Sequence, residues 1–210
     1  HTDSLSWYVA SRFASLETTT MRYVITNRAV FYEKYSTKKV NLVFEFKYRM
    51  ALYACIATHT IDTARYQKLH QEVSRNYPQF SKKLLMETDQ SYAFVSKNWN
   101  TYMELSQAYI DLYAADDVDV LNNTAWQVYV YIDDKKHLAI AVNWVKHACD
   151  LLVLKPRADQ WAVFDTYSAL LEKQGRKRKA SKVAKQAVEF AKAAGVPEKA
   201  YEKATGRIRQ

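Results

Sequence analysis

Glycine is confined to the C-terminal end of this chain of 210 residues. The three glycines are Gly175, Gly195 and Gly206. A sheet protein of this size needs many tight turns, and such turns usually need glycine at positive φ. The glycine-free stretch of 174 residues therefore predicts long helices joined by Asp, Asn, Ser and Thr turns. It also excludes the Gly-rich loops that bind nucleotide phosphates, so we expect no nucleotide cofactor.

The overall composition is that of a globular protein, with 49% hydrophobic and 25% charged residues. A membrane-spanning helix needs about 20 consecutive apolar residues. The nearest candidate, 40–56, is interrupted by Asn41, Glu45, Lys47 and Arg49. We therefore expect no membrane span.

Helical periodicity predicts an irregular helical bundle over residues 1–116. The predicted stripe of the first helix, 4–16, consists of Leu5, Tyr8, Val9, Phe13 and Leu16. Further helices are predicted over 21–31, from Ser36 or Thr37 to a close at residues 60–62, over 64–77, over 80–86, and from Asp89 or Ser91 onward with a break near Trp99 and Asn100.

The second half, 117–210, is more regular. Helices are predicted over 118–132, 135–154, 158–174, 178–194 and 198–208, where the last would cap the others. The first four form two hairpins, which predicts a tetratricopeptide-like (TPR-like) array. The fold class is therefore all-α, with stacked antiparallel helix pairs in a right-handed superhelix. The two halves could form one continuous α-solenoid.

The second hairpin fits the repeat better than the first. A repeat that starts at Trp161 places Ser168, Ala180 and Ala187 where the paired helices approach most closely, so that small residues are needed. In the first hairpin, Tyr129 takes a position that favours a small residue. The offset from Ala141 to Ala180 is 39 residues, whereas the standard repeat is about 34.

The same region resembles a known family. The segments 121–126 (Leu-Asn-Asn-Thr-Ala-Trp) and 164–171 (Phe-Asp-Thr-Tyr-Ser-Ala-Leu-Leu), with Leu138, Trp144 and Gly175, resemble the helical C-terminal region of exported thioredoxin-like, thiol-disulfide isomerase-type proteins from Bacteroidetes. The resemblance covers about 118–195. It implies export to the periplasm and a thioredoxin domain upstream. The chain also begins without Met, which suggests a processed product or a piece of a longer polypeptide.

Repeats of this type bind partners in a groove lined by the first helix of each hairpin. The repeat pattern places Ala162, Asp165, Ala169 and Glu172 in that groove. The leading functional hypothesis is therefore a non-catalytic scaffold that binds a protein or peptide. The sequence does not define its oligomeric state.

Several residues could in principle carry chemistry. Cys55 and Cys149 stand alone, without a C-x-x-C, and both lie on apolar helical stripes, so we expect buried thiols, although a disulfide remains open. The histidines, which include His59 and His147, form no H-E-x-x-H or H-x-x-x-H pair, so no metal site is predicted. The aspartates at 116–119 and 133–134 are interpreted as helix caps. We predict neither a catalytic site nor a cofactor, while an enzyme of unrecognised type stays open.

A formal charge of +9 leaves a second function class open. The excess is concentrated between Lys173 and Lys185, in Lys173, Arg176, Lys177, Arg178, Lys179, Lys182 and Lys185. A solvated helix face would explain this cluster. The alternative is a basic helical domain that binds nucleic acid.

Overall fold

The computed structural model describes residues 2–57 and 61–208. The chain is about 84% helix, and no strand occurs in the described ranges. The all-α class is therefore confirmed. The third helix was predicted to end at residues 60–62, and residue 60 lies outside the described residues. His59 also lies outside them.

Twelve α-helices lie in the described part of the chain, and most are joined by short turns. They are α1 (Thr2–Arg12), α2 (Thr19–Thr26), α3 (Arg28–Tyr35), α4 (Thr37–Ile56), α5 (Thr63–Asn76), α6 (Pro78–Val95), α7 (Trp99–Tyr109), α8 (Val118–Tyr131), α9 (Lys135–Leu154), α10 (Gln160–Lys173), α11 (Lys177–Ala193) and α12 (Glu202–Ile208). A π-helical turn, Ile110–Ala114, continues α7, and a 3-10 turn, Glu198–Tyr201, leads into α12.

The chain divides into two compact units, His1–Leu105 (unit 1) and Ser106–Gln210 (unit 2). The division predicted between residues 116 and 117 falls inside unit 2, at the turn before α8. It stays a prediction about how the repeats are organised.

Helix α4 is central to unit 1, because it packs against α3, α5 and α6. Ser36 caps its N-terminus by accepting a hydrogen bond from the backbone N–H of Lys39, as expected for a residue at this position. Helical spacing predicts an apolar stripe on this helix that consists of Val40, Val43, Phe44, Tyr48, Leu52 and Cys55. All of these residues are buried except Val43, which is half-buried. The apolar core of unit 1 is therefore organised around this helix.

The stripe predicted over residues 4–16 is wrong at three of its five positions, and α1 ends at Arg12. Leu5, Tyr8 and Phe13 are exposed, whereas Trp7 and Ala10 are buried. Trp7 stacks on two aromatic rings of α3, with centroid separations of 5.9 and 4.9 Å. Large apolar residues occur on both faces of α1, so the α3 rings decide which face is buried.

The predicted division of residues 78–95 into two helices is also wrong, because α6 is continuous. Thr88, near the expected break, is fully buried, and its hydroxyl donates to the carbonyls of Leu84 and Leu85. A threonine that bonds back to the preceding turn can stay inside a helix. The polar residues here therefore do not end it.

The four long helices of unit 2, α8 to α11, match the predicted ranges within two residues. The last helix was predicted from residue 198, but α12 begins only at Glu202, because residues 198–201 form a 3-10 turn. Helix α8 packs along α9, and α10 packs along α11. Each pair is joined by three residues, so its helices are antiparallel. Helix α10 also packs on α8 and α9, and α12 packs on α11 and α10.

The positions that required small residues are buried. Ser168, Ala180 and Ala187 are almost inaccessible to solvent. Gly175 follows α10 with φ of +76°, which suits glycine, and its N–H donates to the carbonyl of Glu172. The α10–α11 turn therefore forms as the sequence predicted.

Candidate partner-binding surface

The four residues predicted to line a groove lie on α10 with unequal exposure. Ala169 is fully buried, whereas Ala162, Asp165 and Glu172 are half-buried. They are on one helix and, at spacings of three and four residues, on one face of it. The surface that they offer to a partner is therefore small.

Arg207 of α12 occupies the acidic part of this face. Its guanidinium Nη1 donates to Asp165 Oδ1 at 2.5 Å, and its Nε donates to Glu172 Oε2 at 3.1 Å. The Arg207 side chain is only 6% exposed. A partner that used Asp165 or Glu172 would have to break the hydrogen bonds of this arginine. The groove on α10 stays a prediction, and binding there would disrupt the contact between α12 and α10.

The equivalent face of α8 is open. Subtracting the 39-residue repeat offset from the four α10 positions gives Asn123, Trp126, Val130 and Asp133, and all four are exposed. Trp126 is 40% exposed and Val130 is 45% exposed, one helical turn apart. The Trp126 ring lies 5.0 Å from the ring of Tyr129, which is half-buried. The sequence analysis missed these residues, although the same offset applied to the groove positions would have found them.

Lys173 fixes the end of α10 against the end of α8. Its ammonium donates to the carbonyls of Tyr129 and Ile132 at 2.7 and 2.9 Å, and it pairs with Asp133 at 2.7 Å. A cation suits this place because the last carbonyls of a helix are unsatisfied and carry partial negative charge. Lys173 is therefore a helix cap and is not free to bind an anion.

The clustered aspartates act as caps, as predicted. Asp117 Oδ1 accepts hydrogen bonds at 3.1 Å from two backbone N–H groups at the start of α8. Asp134 Oδ1 does the same at 3.0 Å at the start of α9. The N–H groups of His137 and Lys136 stabilise the ionised form and lower the pKa of Asp134. The lowered pKa of Asp134 is the opposite of the raised pKa that a general acid needs.

Arg157 and His147 make further contacts with aspartates near the same turns. Arg157 donates to Asp159 and to Asp119, and these bonds raise its pKa above the ordinary value. His147 Nε2 lies 3.1 Å from Asp116 Oδ1. These contacts hold the loop before α10 and the middle of α9 near the start of α8. We interpret these contacts as stabilising the connections between α8, α9 and α10.

An open cleft of about 840 Å³ lies in unit 1 between α2, α5 and the turn before α2. It is lined by charges of both signs, but Arg65 is paired with Glu17, and Glu72 accepts a hydrogen bond from the hydroxyl of Tyr48. Partial burial raises the pKa of Glu17, but hydrogen bonds from its backbone N–H, Ser15 and Arg65 outweigh burial and lower it. The carboxylate of Glu17 in this cleft is therefore ion-paired and has a lowered pKa, whereas a catalytic acid has a raised pKa.

A second cleft, of about 640 Å³, lies in unit 2 beside the π-helical turn. Its walls include Tyr113, Leu151, Leu154 and the charged side chains of Lys155 and Arg157. Arg157 is committed to its two aspartates. What remains is a largely apolar surface next to the exposed last turn of α9.

Both cysteines are buried free thiols, one in each unit. Burial raises the pKa of the Cys149 thiol to about 12, and it raises the pKa of Cys55 as well. A protonated, buried thiol is a poor nucleophile and a poor metal ligand. Over residues 2–57 and 61–208, no three His, Cys, Asp or Glu side chains form a group that could hold a metal ion.

Helix α9 is the one described helix that is long and apolar enough to span a bilayer. Only 44% of its most apolar window is buried, but the buried residues form the face that packs on α8 and α10. A core helix meets the same criterion, so this is weak support for a membrane span. The sequence analysis had placed the nearest candidate at 40–56.

Searches of protein-family profiles, curated proteins and solved structures found no match to this chain.

Proposed function

We propose that this chain is a non-catalytic helical-repeat domain that binds a protein partner through the exposed face of α8. In this proposal unit 2 is a TPR-like array of two hairpins, α8–α9 and α10–α11, wound as a right-handed superhelix and closed by α12. The way in which α10 packs on both helices of the preceding hairpin supports this reading.

The observation that carries the proposal is the exposure of Trp126 and Val130 on a helix that also has a buried apolar face. Leu121, Ala125 and Val128 are buried in unit 2, so α8 has a second apolar face that faces solvent. Exposed apolar patches on a folded unit often mark interaction sites. Tryptophan is also enriched among the residues that contribute most to protein–protein binding.

The charges near this face restrict the partner. Asp133 is neutralised by Lys173, and Asp165 and Glu172 are neutralised by Arg207. The face therefore offers an aromatic and aliphatic surface with little free charge. A partner segment with apolar side chains at helical or extended spacing would complement it.

The resemblance to exported thioredoxin-like proteins extends the proposal. On that basis the chain is the helical appendage of such a protein, it acts in the periplasm, and the redox chemistry belongs to a domain that precedes it. The coding sequence upstream of residue 1 tests this part, since a thioredoxin segment with C-x-x-C is expected there. An unrelated upstream segment would contradict it.

Binding is tested with two matched double variants of the whole chain. Trp126→Ala with Val130→Ser removes the α8 face, and Phe13→Ala with Val30→Ser likewise replaces an exposed aromatic residue and an exposed valine in unit 1. The immobilised wild-type chain is used to capture a partner from a periplasmic extract, and the dissociation constant of the identified partner is then measured for each variant.

We expect the α8 variant to weaken binding by about 30-fold or more, since a central tryptophan typically contributes about 2 kcal/mol. The unit 1 variant should bind as the wild type does. Capture of no partner would count against the proposal. Equal losses in the two double variants would also refute it.

A further inference from the structure

A row of cations runs along the outer face of α11. Arg178, Lys182, Lys185 and Lys192 are separated by four, three and seven residues, so they lie within one narrow sector of the helix surface. All four are exposed. With a rise of about 1.5 Å per residue, the row is about 21 Å long. The only acidic residue within this row is Glu189, which is also exposed.

These four cations are free, whereas Lys173 and Lys179 of the basic cluster make contacts within unit 2. Among the described residues, none of the four has an ion pair or a hydrogen bond from its side chain. In contrast, Lys173 caps α8, and Lys179 lies over the ring of Tyr167 at 5.5 Å. The free charges are therefore those that face solvent.

The row is held at fixed positions because the opposite face of α11 is packed against the rest of unit 2. That buried face consists of Ala180, Val183, Ala184, Ala187, Val188 and Ala191. A rigid line of cations loses little conformational freedom of the backbone when it binds a polyanion.

We propose that this row, the basic stripe, binds the phosphate backbone of double-stranded nucleic acid without sequence preference. The stripe is linear, which fits a linear polyanion. Aromatic rings that could stack on unpaired bases are missing from it, and Phe190 is half-buried against Phe164, so single strands are less well matched. Helices that bind membranes insert an apolar face, but the apolar face of α11 is already buried.

The proposal predicts a specific salt dependence. If the four cations each neutralise one phosphate, the plot of log affinity against log salt concentration has a slope of about −3.6. Affinity then falls about 150-fold between 50 and 200 mM KCl. Fluorescence anisotropy of a labelled 20-base-pair duplex, titrated with the full chain, measures both quantities.

Three variants test the assignment. Lys182→Ala with Lys185→Ala should reduce the slope to about −1.8. Glu189→Lys should tighten binding at 100 mM KCl and steepen the slope by about 0.9. The matched control removes two exposed lysines of unit 1, with Lys38→Ala and Lys82→Ala, and should leave both quantities unchanged.

These experiments use variants of α11 and a DNA duplex, so their results do not depend on whether the α8 face binds a protein. Tighter binding by Glu189→Lys cannot result from misfolding, so it supports the stripe directly. The proposal is overturned if the wild-type chain does not bind duplex at 50 mM KCl, or if the unit 1 control reduces the slope as much as the stripe variant does. Binding to vesicles with 30 mol% phosphatidylglycerol, but not to duplex, would overturn it in favour of an anionic membrane.

Discussion

Replacing Arg207 with methionine tests whether α12 is held on α10 by charge. Methionine keeps an unbranched apolar side chain but removes both bonds to Asp165 and Glu172. A hydrogen bond to a charged group contributes about 1.5 to 3 kcal/mol. The carboxylates of Asp165 and Glu172 are 19% and 30% exposed and stay partly hydrated, so each bond stabilises α12 by less than this range. We therefore expect the opening free energy of α12 to fall by about 2 kcal/mol.

This loss corresponds to about 30-fold faster amide hydrogen exchange in α12 if exchange occurs by local opening. Hydrogen–deuterium exchange with mass spectrometry, on the peptide that covers residues 198–208, measures it. Lys203→Met is the control, because this exposed lysine of α12 makes no ion pair or side-chain hydrogen bond with the described residues and its replacement should change exchange little. A change below threefold for Arg207→Met, or an equal change for Lys203→Met, would refute the reasoning.

Further predictions concern packing, capping and thiol chemistry. Leu170→Ala should lower the free energy of unfolding by about 2 to 5 kcal/mol, whereas Leu154→Ala, at an 83% exposed position, should change it by less than about 0.5 kcal/mol in urea titrations. The pKa of Asp134 is lower in the folded chain, so its cap stabilises α9 above the unfolded pKa and is lost as pH falls through the folded pKa. The stability difference between the wild type and Asp134→Ala should therefore shrink from pH 6 to pH 2, and a constant difference would contradict the cap. Because burial raises the pKa of Cys149 to about 12, Ellman's reagent at pH 8 should modify this thiol far more slowly in the folded chain than in guanidinium. Equal rates would show that Cys149 is accessible.

The sequence was most informative where local signals agreed with packing. The stripe of α4 and the four long helices of unit 2 follow from periodicity, from caps such as Asp117 and Asp134, and from Gly175 after α10. Each of these signals acts within a few residues of the feature that it determines. They therefore needed no knowledge of distant contacts.

The sequence was less informative where both faces of a helix carry apolar residues, or where a residue distant in the chain determines which side chains are covered. On α1, Trp7 is buried in preference to Leu5 because aromatic rings of α3 stack on it. On α10, Asp165 is covered by Arg207, which is 42 residues away in the chain. The π-helical turn at 110–114 was also missed, since its i→i+5 bonds have no simple residue signature.

The candidate site was predicted on α10, whose groove positions are less exposed than the matching positions of α8. The repeat alignment defined the groove positions, and it applied equally to α8 and α10. Only the structure distinguishes the covered face of Asp165 and Ala169 from the open face of Trp126 and Val130.

Hydroxyl-radical footprinting of the tryptophans tests the proposed partner-binding face most directly. In the free chain, Trp126 should be oxidised quickly and Trp144, which is 5% exposed, slowly. When the captured partner is bound, the oxidation rate of Trp126 should fall several-fold while that of Trp144 stays unchanged. An unchanged rate at Trp126 under saturating partner would contradict the account, because the partner would then bind elsewhere.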